Sequence, residues 1–504
     1  MCLSLLVFTN LKNNMKKTFL TIVSALLMFT AAQADNPYKH YTNNLPFKMA
    51  EVKAPVFPNR EVKVTDFGAV GNGINLCTDA FAKAVDYLAA KGGGKLVVPR
   101  GVWHTGPIVL KSNINLHLDK GAVILFAADE TLYPLISTSF EGLDTRRCQS
   151  PLSANGATNV AVTGYGVIDG NGQYWRPLKK EKVTDAKWRE VTSSGGVLKN
   201  SKLWFPSEGY AKGDAGADMN VPRNMRSEAD WNSIKRFLRP VMVSFVKCKN
   251  VQLSGVIFQN SPAWNLHPLM CENVIIEDLL VRNPAYAQNG DALDLESCKN
   301  VLIINSRFDA GDDGICIKSG KDADGRRRGV PCENVVVDGC TVFAGHGGFV
   351  VGSEMSGGVK NILVENCQFV GTDVGLRFKS ARGRGGIVEN IFIDGVSMSE
   401  IKNDALIFNM YYGGKSVAES LADGDKPNNT DMKPVDETTP IFRNINIKNV
   451  VCNGAGRAML FNGLPEMPID GIHLQDITIQ AKKGAEFNNS RNITRENVNI
   501  TVVK

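Results

Sequence analysis

Short runs of alternating β-branched residues recur along the chain, and each run follows an asparagine paired with a branched aliphatic residue. The asparagine pairs are Asn250-Val251, Asn273-Val274, Asn300-Val301, Asn334-Val335, Asn361-Ile362, Asn390-Ile391, Asn444-Ile445 and Asn492-Ile493. Most are separated by about 20 to 35 residues, a period typical of solenoids. No long amphipathic helix lies between them, which excludes βαβ units. The pattern predicts an all-β fold, a single-stranded right-handed parallel β-helix whose stacked coils bury a continuous core. The asparagines are expected to form a hydrogen-bonded ladder.

Three segments depart from this repeat. Residues Cys77 to Lys91 read as a helix, because Phe81, Val85 and Leu88 share one face and Gly92 follows the last turn. We expect this short helix to cap the N-terminal end of the solenoid. Residues 176–238 and 412–440 are polar and irregular, and they predict two long loop insertions in one β-helix catalytic domain spanning residues 35–504.

A second alignment within the repeat brings polar residues together. Five segments align slot by slot: Asp291 to Ser297, Asp313 to Ser319, Gly347 to Ser353, Val374 to Ser380 and Asp404 to Met410. Their third and fifth slots are always apolar, so strand alternation predicts that these side chains point inward and that the fourth and sixth point outward.

The outward slots and the turns before them carry charge. The outward slots hold Asp294, Glu296, Lys318, Arg377 and Lys379, and the turns hold Asp291, Asp312, Asp313, His346 and Asp373. Neighbouring coils stack about 4.8 Å apart, so these residues should converge on one face within a few coils. Any one of them alone is more often a turn residue or a solvated charge, but their shared slots favour a site.

The chemistry of this set points to hydrolysis of an acidic sugar polymer. Paired carboxylates suit glycoside hydrolysis, where one protonates the leaving oxygen and another activates water. Like charges held close raise one pKa, which supplies the protonated acid. Arg377 and Lys379 suit a substrate carboxylate, which arginine binds through two hydrogen bonds.

Composition narrows the partners. The 504 residues are 43% hydrophobic and 21% charged, with a formal net charge of +6. This near-balance argues against a nucleic-acid partner. Residues 1–34 read as a signal peptide, with Met15-Lys16-Lys17 before an apolar stretch and Ala32-Gln33-Ala34 at the cleavage region. Residues 1–14 read as an upstream start artefact. We therefore expect export, to the periplasm or the medium, and no later segment predicts a membrane span.

Eleven cysteines do not indicate a metal site. Cys248, Cys271, Cys298 and Cys332 each lie one or two residues before an Asn-Val pair, so we expect a stack of small buried thiols. No CxxC motif or histidine cluster accompanies them. We predict neither a metal nor another cofactor.

These residues carry a resemblance to the polygalacturonases of glycoside hydrolase family 28, which covers roughly residues 60–500. The matching segments are Asp66 to Gly71, Asn260 to Trp264 with His267, Asn289-Gly290-Asp291 with Asp294, Gly311-Asp312-Asp313, Ile317 to Gly320, Gly345-His346-Gly347 and Arg377-Phe378-Lys379. Gly290 stands where the family has Thr, and Phe378 where it has Ile. One is a turn position and the other faces inward, so neither departure removes a functional group.

The resemblance implies a right-handed parallel β-helix that hydrolyses galacturonide bonds of pectin with inversion. Asp312 is then the general acid, Asp291 and Asp313 hold and deprotonate the attacking water, and His346 supports the acid. Arg377 and Lys379 grip the galacturonate carboxylate. The further residues expected to contact substrate are Asn289, Asp294, Lys318, His267 and Tyr411.

The mode of action and three alternatives stay open. The two insertions flank the predicted site, and Gly352 to Gly358 looks like a segment of exo-acting members, so we expect exo action. A calcium-dependent pectate lyase would need a separate cluster of oxygen ligands. A non-catalytic glycan-binding β-helix would show aromatic platforms without convergent acids. A rhamnogalacturonan-directed hydrolase of the same family also fits. The oligomeric state is open, with a monomer as the expectation.

Overall fold

The structure is a computed structural model that describes residues 36–218, 220–413 and 431–503. The predicted signal peptide, residues 1–34, lies outside the described residues. So do residues 414–430, which form most of the second predicted insertion. Among the described residues, no helix combines the length and apolarity needed to cross a membrane.

The elements are almost all short strands. The first strands are β1 (Glu61–Lys63), β2 (Gly94–Val98), β3 (Gly101–Thr105), β4 (Ile108–Val109), β5 (Ile114–Leu118), β6 (Ala122–Phe126), β7 (Leu135–Phe140), β8 (Leu143–Cys148), β9 (Leu152–Asn155), β10 (Thr158–Gly164), β11 (Val167–Asp169), β12 (Leu178–Lys179), β13 (Val197–Lys199), β14 (Leu203–Phe205), β15 (Ala217–Asp218) and β16 (Val221–Pro222). The middle strands are β17 (Val243–Val246), β18 (Lys249–Ser254), β19 (Ile257–Gln259), β20 (Leu266–Leu269), β21 (Glu272–Glu277), β22 (Leu280–Arg282), β23 (Leu293–Glu296), β24 (Lys299–Ile304), β25 (Arg307–Ala310), β26 (Asp313–Lys318), β27 (Cys332–Asp338), β28 (Thr341–Ala344), β29 (Gly347–Val351), β30 (Val359–Glu365), β31 (Gln368–Val370) and β32 (Leu376–Lys379). The last strands are β33 (Ile387–Asn409), β34 (Ile441–Asn462), β35 (Ile469–Ala481), β36 (Ala485–Asn488) and β37 (Ser490–Val502).

The α-helices are few and short. They are α1 (Lys39–Thr42), α2 (Thr78–Ala90), α3 (Asp185–Ser193), α4 (Glu208–Ala215), α5 (Glu228–Ser233) and α6 (Asp322–Arg328).

Each central coil contributes one strand to each of three parallel sheets, named A, B and C. In sheet A, β9, β17, β20, β23, β26, β29 and β32 follow one another. Sheet B continues through β18, β21, β24, β27 and β30, and sheet C through β19, β22, β25, β28 and β31. The long strands β33 and β34 bend through successive sheets. The predicted parallel β-helix is confirmed.

The predicted asparagine ladder is present along sheet B. Side-chain amides bond from one coil to the next, from Asn250 to Asn273, Asn300, Asn334, Asn361, Asn390 and Asn444. All of these residues have left-handed backbone, with φ between 52° and 58°. Asparagine tolerates this conformation better than other residues with a Cβ, so it suits both the turn and the ladder. The last predicted member, Asn492, bonds to Asp470 instead.

The interior is apolar and contains the expected thiols. The third and fifth slots of the aligned segments belong to the core, which runs through every coil. Cys248, Cys271, Cys298 and Cys332 are buried and free, and the Cys271 amide donates to the Cys298 sulfur at 3.3 Å. Burial raises the pKa of the Cys332 thiol to about 12, which keeps it protonated and unreactive.

The two ends of the solenoid differ. Helix α2 begins one residue after Cys77 and ends one residue before Lys91, and it buries Phe81, Val85 and Leu88 against the first coil as expected. At the other end, β37 pairs with β35 along one edge, and most of its residues are exposed.

The segment 176–238 is folded, where the sequence predicts an irregular loop. It holds α3, α4, α5 and the antiparallel sheet β12-β14-β13. Its own core includes Phe205, Tyr210 and Phe237. The sequence pattern misses this because a small core of mixed aromatics has neither a helical nor a strand period. Beside it, β7 and β8 form an antiparallel hairpin. Hairpin and insertion are joined, because Arg147 donates to the Asn220 carbonyl.

Candidate active site

The register of sheet A confirms the slot alignment that the sequence predicts. Leu293 pairs with Ile315, Ile315 with Phe349, and Phe349 with Leu376. The residue pairs one and two positions further along follow the same order, so the outward slots also lie side by side. The outward side chains are buried rather than solvated: Asp294 and Glu296 are 0% exposed.

Three carboxylates form the centre of the site. Asp291 precedes β23, and Asp312 and Asp313 lie at the start of β26 in the next coil. One oxygen of each carboxylate lies within 4.8 Å of the others. Asp291 and Asp313 are buried, whereas the Asp312 side chain is 26% exposed. Asp312 is therefore the member of the three most open to a ligand.

Two cations from a later coil hold Asp313. Lys379 Nζ lies 2.6 Å from Asp313 Oδ2, and Arg377 donates to Oδ1 at 3.2 Å. Burial opposes ionisation of Asp313, but Lys379 and then Arg377 outweigh it and lower its pKa. Asp313 is therefore an anion in this site.

His346 lies beside Asp312. Its Nδ1 is 2.9 Å from Asp312 Oδ1, and its backbone amide donates to the Asp312 carbonyl at 2.7 Å. Burial opposes ionisation of Asp312, but His346 and Lys379 outweigh it, so the pKa of Asp312 lies below its ordinary value. The main-chain bond fixes the imidazole against the carboxylate.

Asp291 has the opposite electrostatics. Burial raises its pKa well above the ordinary value, and the neighbouring charges of Asp294 and Asp312 raise it further. The nearest cation that opposes this is Lys318. Asp291 is therefore the carboxyl of the three that most favours its protonated form.

A layer of ion pairs lies behind the three carboxylates. Lys318 Nζ is 3.3 Å from Asp294 and 2.9 Å from Glu354. Burial raises the pKa of Asp294 to about 8 against the opposing effect of Lys318. His267 bonds to Glu296 at 2.8 Å. Lys318 reaches the cavity. Asp294, His267 and Arg377 do not line it, so these three predicted substrate contacts lie beneath the site.

Tyr411 also lies outside the cavity. Its ring packs on the core and against Arg382. The next residue, Tyr412, lines the cavity, with Lys379 Nζ 4.9 Å from its ring centre. Strand alternation is responsible, because neighbouring residues at a strand end face opposite sides.

Several residues of the cavity were not predicted from the sequence. Hairpin β7–β8 contributes Glu141, and the folded insertion contributes Lys179 and Lys182. The other unpredicted members are Gln288, Ser353, Glu354, Arg384 and Tyr412. Glu354 lies within Gly352 to Gly358, the segment that looks like one of exo-acting members, so the sequence does point to it. Glu141, Lys179 and Lys182 lie outside the repeat, so slot alignment could not place them. Asn289 lines the cavity as predicted.

The three carboxylates have the spacing of a possible cation site as well as of an acid–base group. Lys379 and Arg377 already supply positive charge to Asp313. Their presence favours proton transfer over metal binding, because a divalent ion beside two buried cations meets electrostatic repulsion.

Sequence and structure comparisons agree with this geometry. The chain matches the profile of Glycosyl hydrolases family 28 over residues 211–497. It is 34% identical to a hyperthermoactive exopolygalacturonase from Thermotoga maritima, whose crystal structure aligns with a TM-score of 0.73 over 90% of this chain and 94% of that one. It is 29% identical to a probable polygalacturonase of Vitis vinifera, over 82% of this chain and 73% of that protein. An exo-poly-alpha-D-galacturonosidase of Dickeya chrysanthemi is 28% identical, over 70% of this chain and 57% of its own length.

A β-helix that carries three convergent carboxylates on one sheet defines a class of carbohydrate-active enzymes, and this protein is a glycoside hydrolase. The chain belongs to glycosyl hydrolases family 28.

Proposed function

We propose that this enzyme is an exo-acting polygalacturonase, which removes single galacturonates from polygalacturonate or its oligomers. The observation that carries the proposal is the carboxylate trio beside Arg377 and Lys379, with oxygens within 4.8 Å of one another. The carboxylates supply acid and base. Lys379, which lines the cavity with Arg377 behind it on Asp313, selects an acidic sugar. The similar exopolygalacturonase and galacturonosidase support both the substrate and the exo mode.

Asp312 is proposed as the general acid because it is the most exposed of the three carboxylates and touches His346. In the free enzyme the proton resides on Asp291, whose pKa is raised. A galacturonate carboxylate at Lys379 offsets the charge that, after His346, lowers the pKa of Asp312. The proton can then pass from Asp291 to Asp312 through the water between them. This transfer leaves Asp291 ionised as the base and Asp312 ready to protonate the leaving oxygen.

The water attacks the anomeric carbon and gives its proton to Asp291 as the glycosidic bond breaks. Asp313 remains ionised throughout, because Lys379 and Arg377 hold it as an anion. Its role is to orient the water and to fix the two cations. His346 positions Asp312, since both its ring and its backbone amide contact that residue.

Exo action follows from how the cavity is closed. An open β-helix groove binds a polymer at any point along its length. Here Lys179 and Lys182 from the folded insertion, Glu141 from the hairpin and Tyr412 from a later coil all line the cavity. The walls favour entry of a chain end rather than of an internal segment. Export stays a prediction, because residues 1–34 lie outside the described part of the chain.

The proposed exo mode predicts the order in which products appear. Digestion of polygalacturonate should release monogalacturonate from the first time point while viscosity falls slowly. Product chromatography and viscometry on the same reaction test this. A rapid viscosity drop with mixed oligomers first would show an open groove. Release of product only from rhamnogalacturonan would assign the enzyme to that substrate instead.

The stereochemistry of the first product tests the acid–base scheme. Inverting enzymes commonly hold their carboxyls about 6.5–9.5 Å apart, and retaining enzymes about 5–5.5 Å. Here one oxygen of each carboxylate lies within 4.8 Å of the others, a distance between single oxygens rather than between carboxyl groups. A water that bonds two oxygens at about 2.8 Å each still fits between them. We expect inversion, seen by NMR as a β-anomer released from α-linked substrate. An α-anomer would make one carboxylate a nucleophile.

Activity should be lost at a pH above the usual pKa of a carboxyl group. The reaction needs one proton on the trio, and the raised pKa of Asp291 keeps it bound above the usual carboxyl range near 4. The rate should therefore fall as pH rises through that raised value. On the acid side, the lowered pKa of Asp313 keeps this residue ionised. The pH profile of kcat/KM, which reports the ionisation of the free enzyme, checks this, and a kcat/KM that climbs steadily with pH would contradict it.

A further inference from the structure

Glu141 is an unusual residue for its place in the backbone. It forms, with Gly142, the two-residue loop between β7 and β8. Both residues have positive φ, 50° for Glu141 and 73° for Gly142. Such loops favour Asn-Gly or Asp-Gly, because asparagine and aspartate tolerate left-handed backbone. Glutamate is not chosen by the turn, so its side chain is the feature to explain.

The Glu141 carboxyl is buried with one oxygen bonded and one free. The residue is 7% exposed. Oε1 accepts from Asn220 at 2.6 Å and from Asn289 at 3.2 Å. Oε2 has no hydrogen-bond partner among the described residues and belongs to a side chain that lines the cavity with Asp291 and Asp312. A buried polar atom without a partner is costly, which indicates that a ligand completes it.

The amides that hold Glu141 are themselves fixed. Asn289 accepts a bond from Arg239 at 2.9 Å, and Arg239 is 1% exposed. The backbone carbonyl of Asn220 accepts from Arg147 at 3.0 Å. These bonds lock the direction of the carboxyl, so Oε2 points at one place. Burial, and then the charge of Glu354, raises the pKa of Glu141, which favours a hydroxyl partner over a second anion.

The position of Glu141 relative to the trio indicates which sugar hydroxyl it meets. Asn289 lies in the coil of Asp291, whereas Arg377 and Lys379 lie two coils beyond Asp313. Through its bond to Asn289, Glu141 therefore lies at the coil of Asp291. There, a terminal galacturonate presents a free 4-hydroxyl, whereas an internal residue has a glycosidic oxygen with no proton to donate.

We propose that Glu141 hydrogen-bonds the free 4-hydroxyl of the non-reducing terminal galacturonate and so makes the enzyme specific for chain ends. This inference rests on the proposed polygalacturonase function and assigns its specificity to one side chain. The reducing-end hydroxyl is a poorer target for one fixed oxygen, because it exchanges between two anomeric positions. A site built to bond a hydroxyl strongly rejects the analogue without it.

The test compares three trigalacturonates: the saturated compound, one with a 4,5-unsaturated non-reducing residue that lacks the 4-hydroxyl, and one reduced at its reducing end. Wild type should prefer the saturated over the unsaturated compound by at least roughly 10²-fold in kcat/KM. Glu141→Gln should cut this preference to about tenfold or less, and Glu141→Asn should abolish it. The reduced compound should be cleaved like the saturated one.

The unfolding temperatures of the variants separate a loss of substrate recognition from a loss of folding. Asparagine suits the turn, so Glu141→Asn should unfold at the same or a higher temperature than wild type. Glu208→Gln, an exposed glutamate in α4, is the matched control and should keep the wild-type preference. Unchanged preference in both Glu141 variants would overturn the proposal, and so would a wild type that rejects only the reduced compound. A wild type that cleaves none of the three refutes the proposed function itself.

Discussion

Replacing Asp312 by Asn should lower kcat on polygalacturonate by roughly 10²–10⁴-fold, the contribution typical of a general acid. The amide keeps the size of the side chain and can still accept from His346, but it cannot protonate the leaving oxygen. KM should change little, because Lys379, the proposed partner of the sugar carboxylate, is unchanged. Initial rates with oligogalacturonates of defined length measure both constants.

The control for this variant is Asp309→Asn, on β25, the strand that precedes Asp312 in the chain. Asp309 is partly buried but does not line the cavity, so its loss should leave kcat near wild type. Both variants should unfold at the wild-type temperature. EDTA should not affect wild type, since we predict no metal. Full activity in Asp312→Asn would remove the acid role, and EDTA inactivation reversed by Ca²⁺ would indicate a lyase.

Lys379→Met should have the second large effect, on both activity and stability. Lys379 is 5% exposed and bonds to Asp313, so its removal leaves a buried carboxylate with Arg377 as its remaining cation. Breaking a buried ion pair costs about 3–5 kcal/mol, and the retained Arg377 places the expected loss of unfolding free energy near the lower end. The variant should also lose roughly 10²-fold in kcat/KM, because the sugar carboxylate loses its partner.

Two measurements separate these effects of Lys379→Met. Denaturant unfolding gives the stability, and kcat/KM on free and methyl-esterified oligogalacturonates gives the recognition. Wild type should strongly prefer the free acid, and the variant should narrow that preference. Lys299→Met removes an exposed lysine paired with Glu333, so it should cost less than about 1 kcal/mol and leave the preference intact. An unchanged preference for the free acid in Lys379→Met would show that this lysine does not bind the substrate carboxylate.

The repeat made the solenoid and the trio accessible from sequence. Asparagine before each strand indicates a left-handed turn, and apolar pairs in fixed slots indicate the inward face. Both the coil and its register therefore follow from local patterns. Register then places Asp291, Asp313, Arg377 and Lys379 side by side without further information. Helix α2 was equally clear, because its apolar period and its glycine stop agree.

What the sequence did not reveal comes from contacts between distant segments outside the repeat. Glu141 reaches the site from a hairpin about 150 residues before Asp291 in the chain. Lys182 comes from an insertion with its own core. Neither Glu141 nor Lys182 belongs to a repeat segment that can be aligned with the others. For the same reason, the sequence does not reveal that Asp294 and Glu296 are completely buried.

The unequal ends of the solenoid give its unfolding a direction. Helix α2 seals the first coil, whereas β37 pairs with β35 along one edge and has no strand on its other edge among the described residues. Arg495 and Glu496 place charge on β37, which opposes pairing with another chain. Solenoid coils contact only their neighbours, so loss of structure should begin at this edge and move inward one coil at a time. Sheet A continues past Lys379 through β33, β34 and β36. The terminal coils can therefore unfold on heating while the coils that carry the active site remain folded.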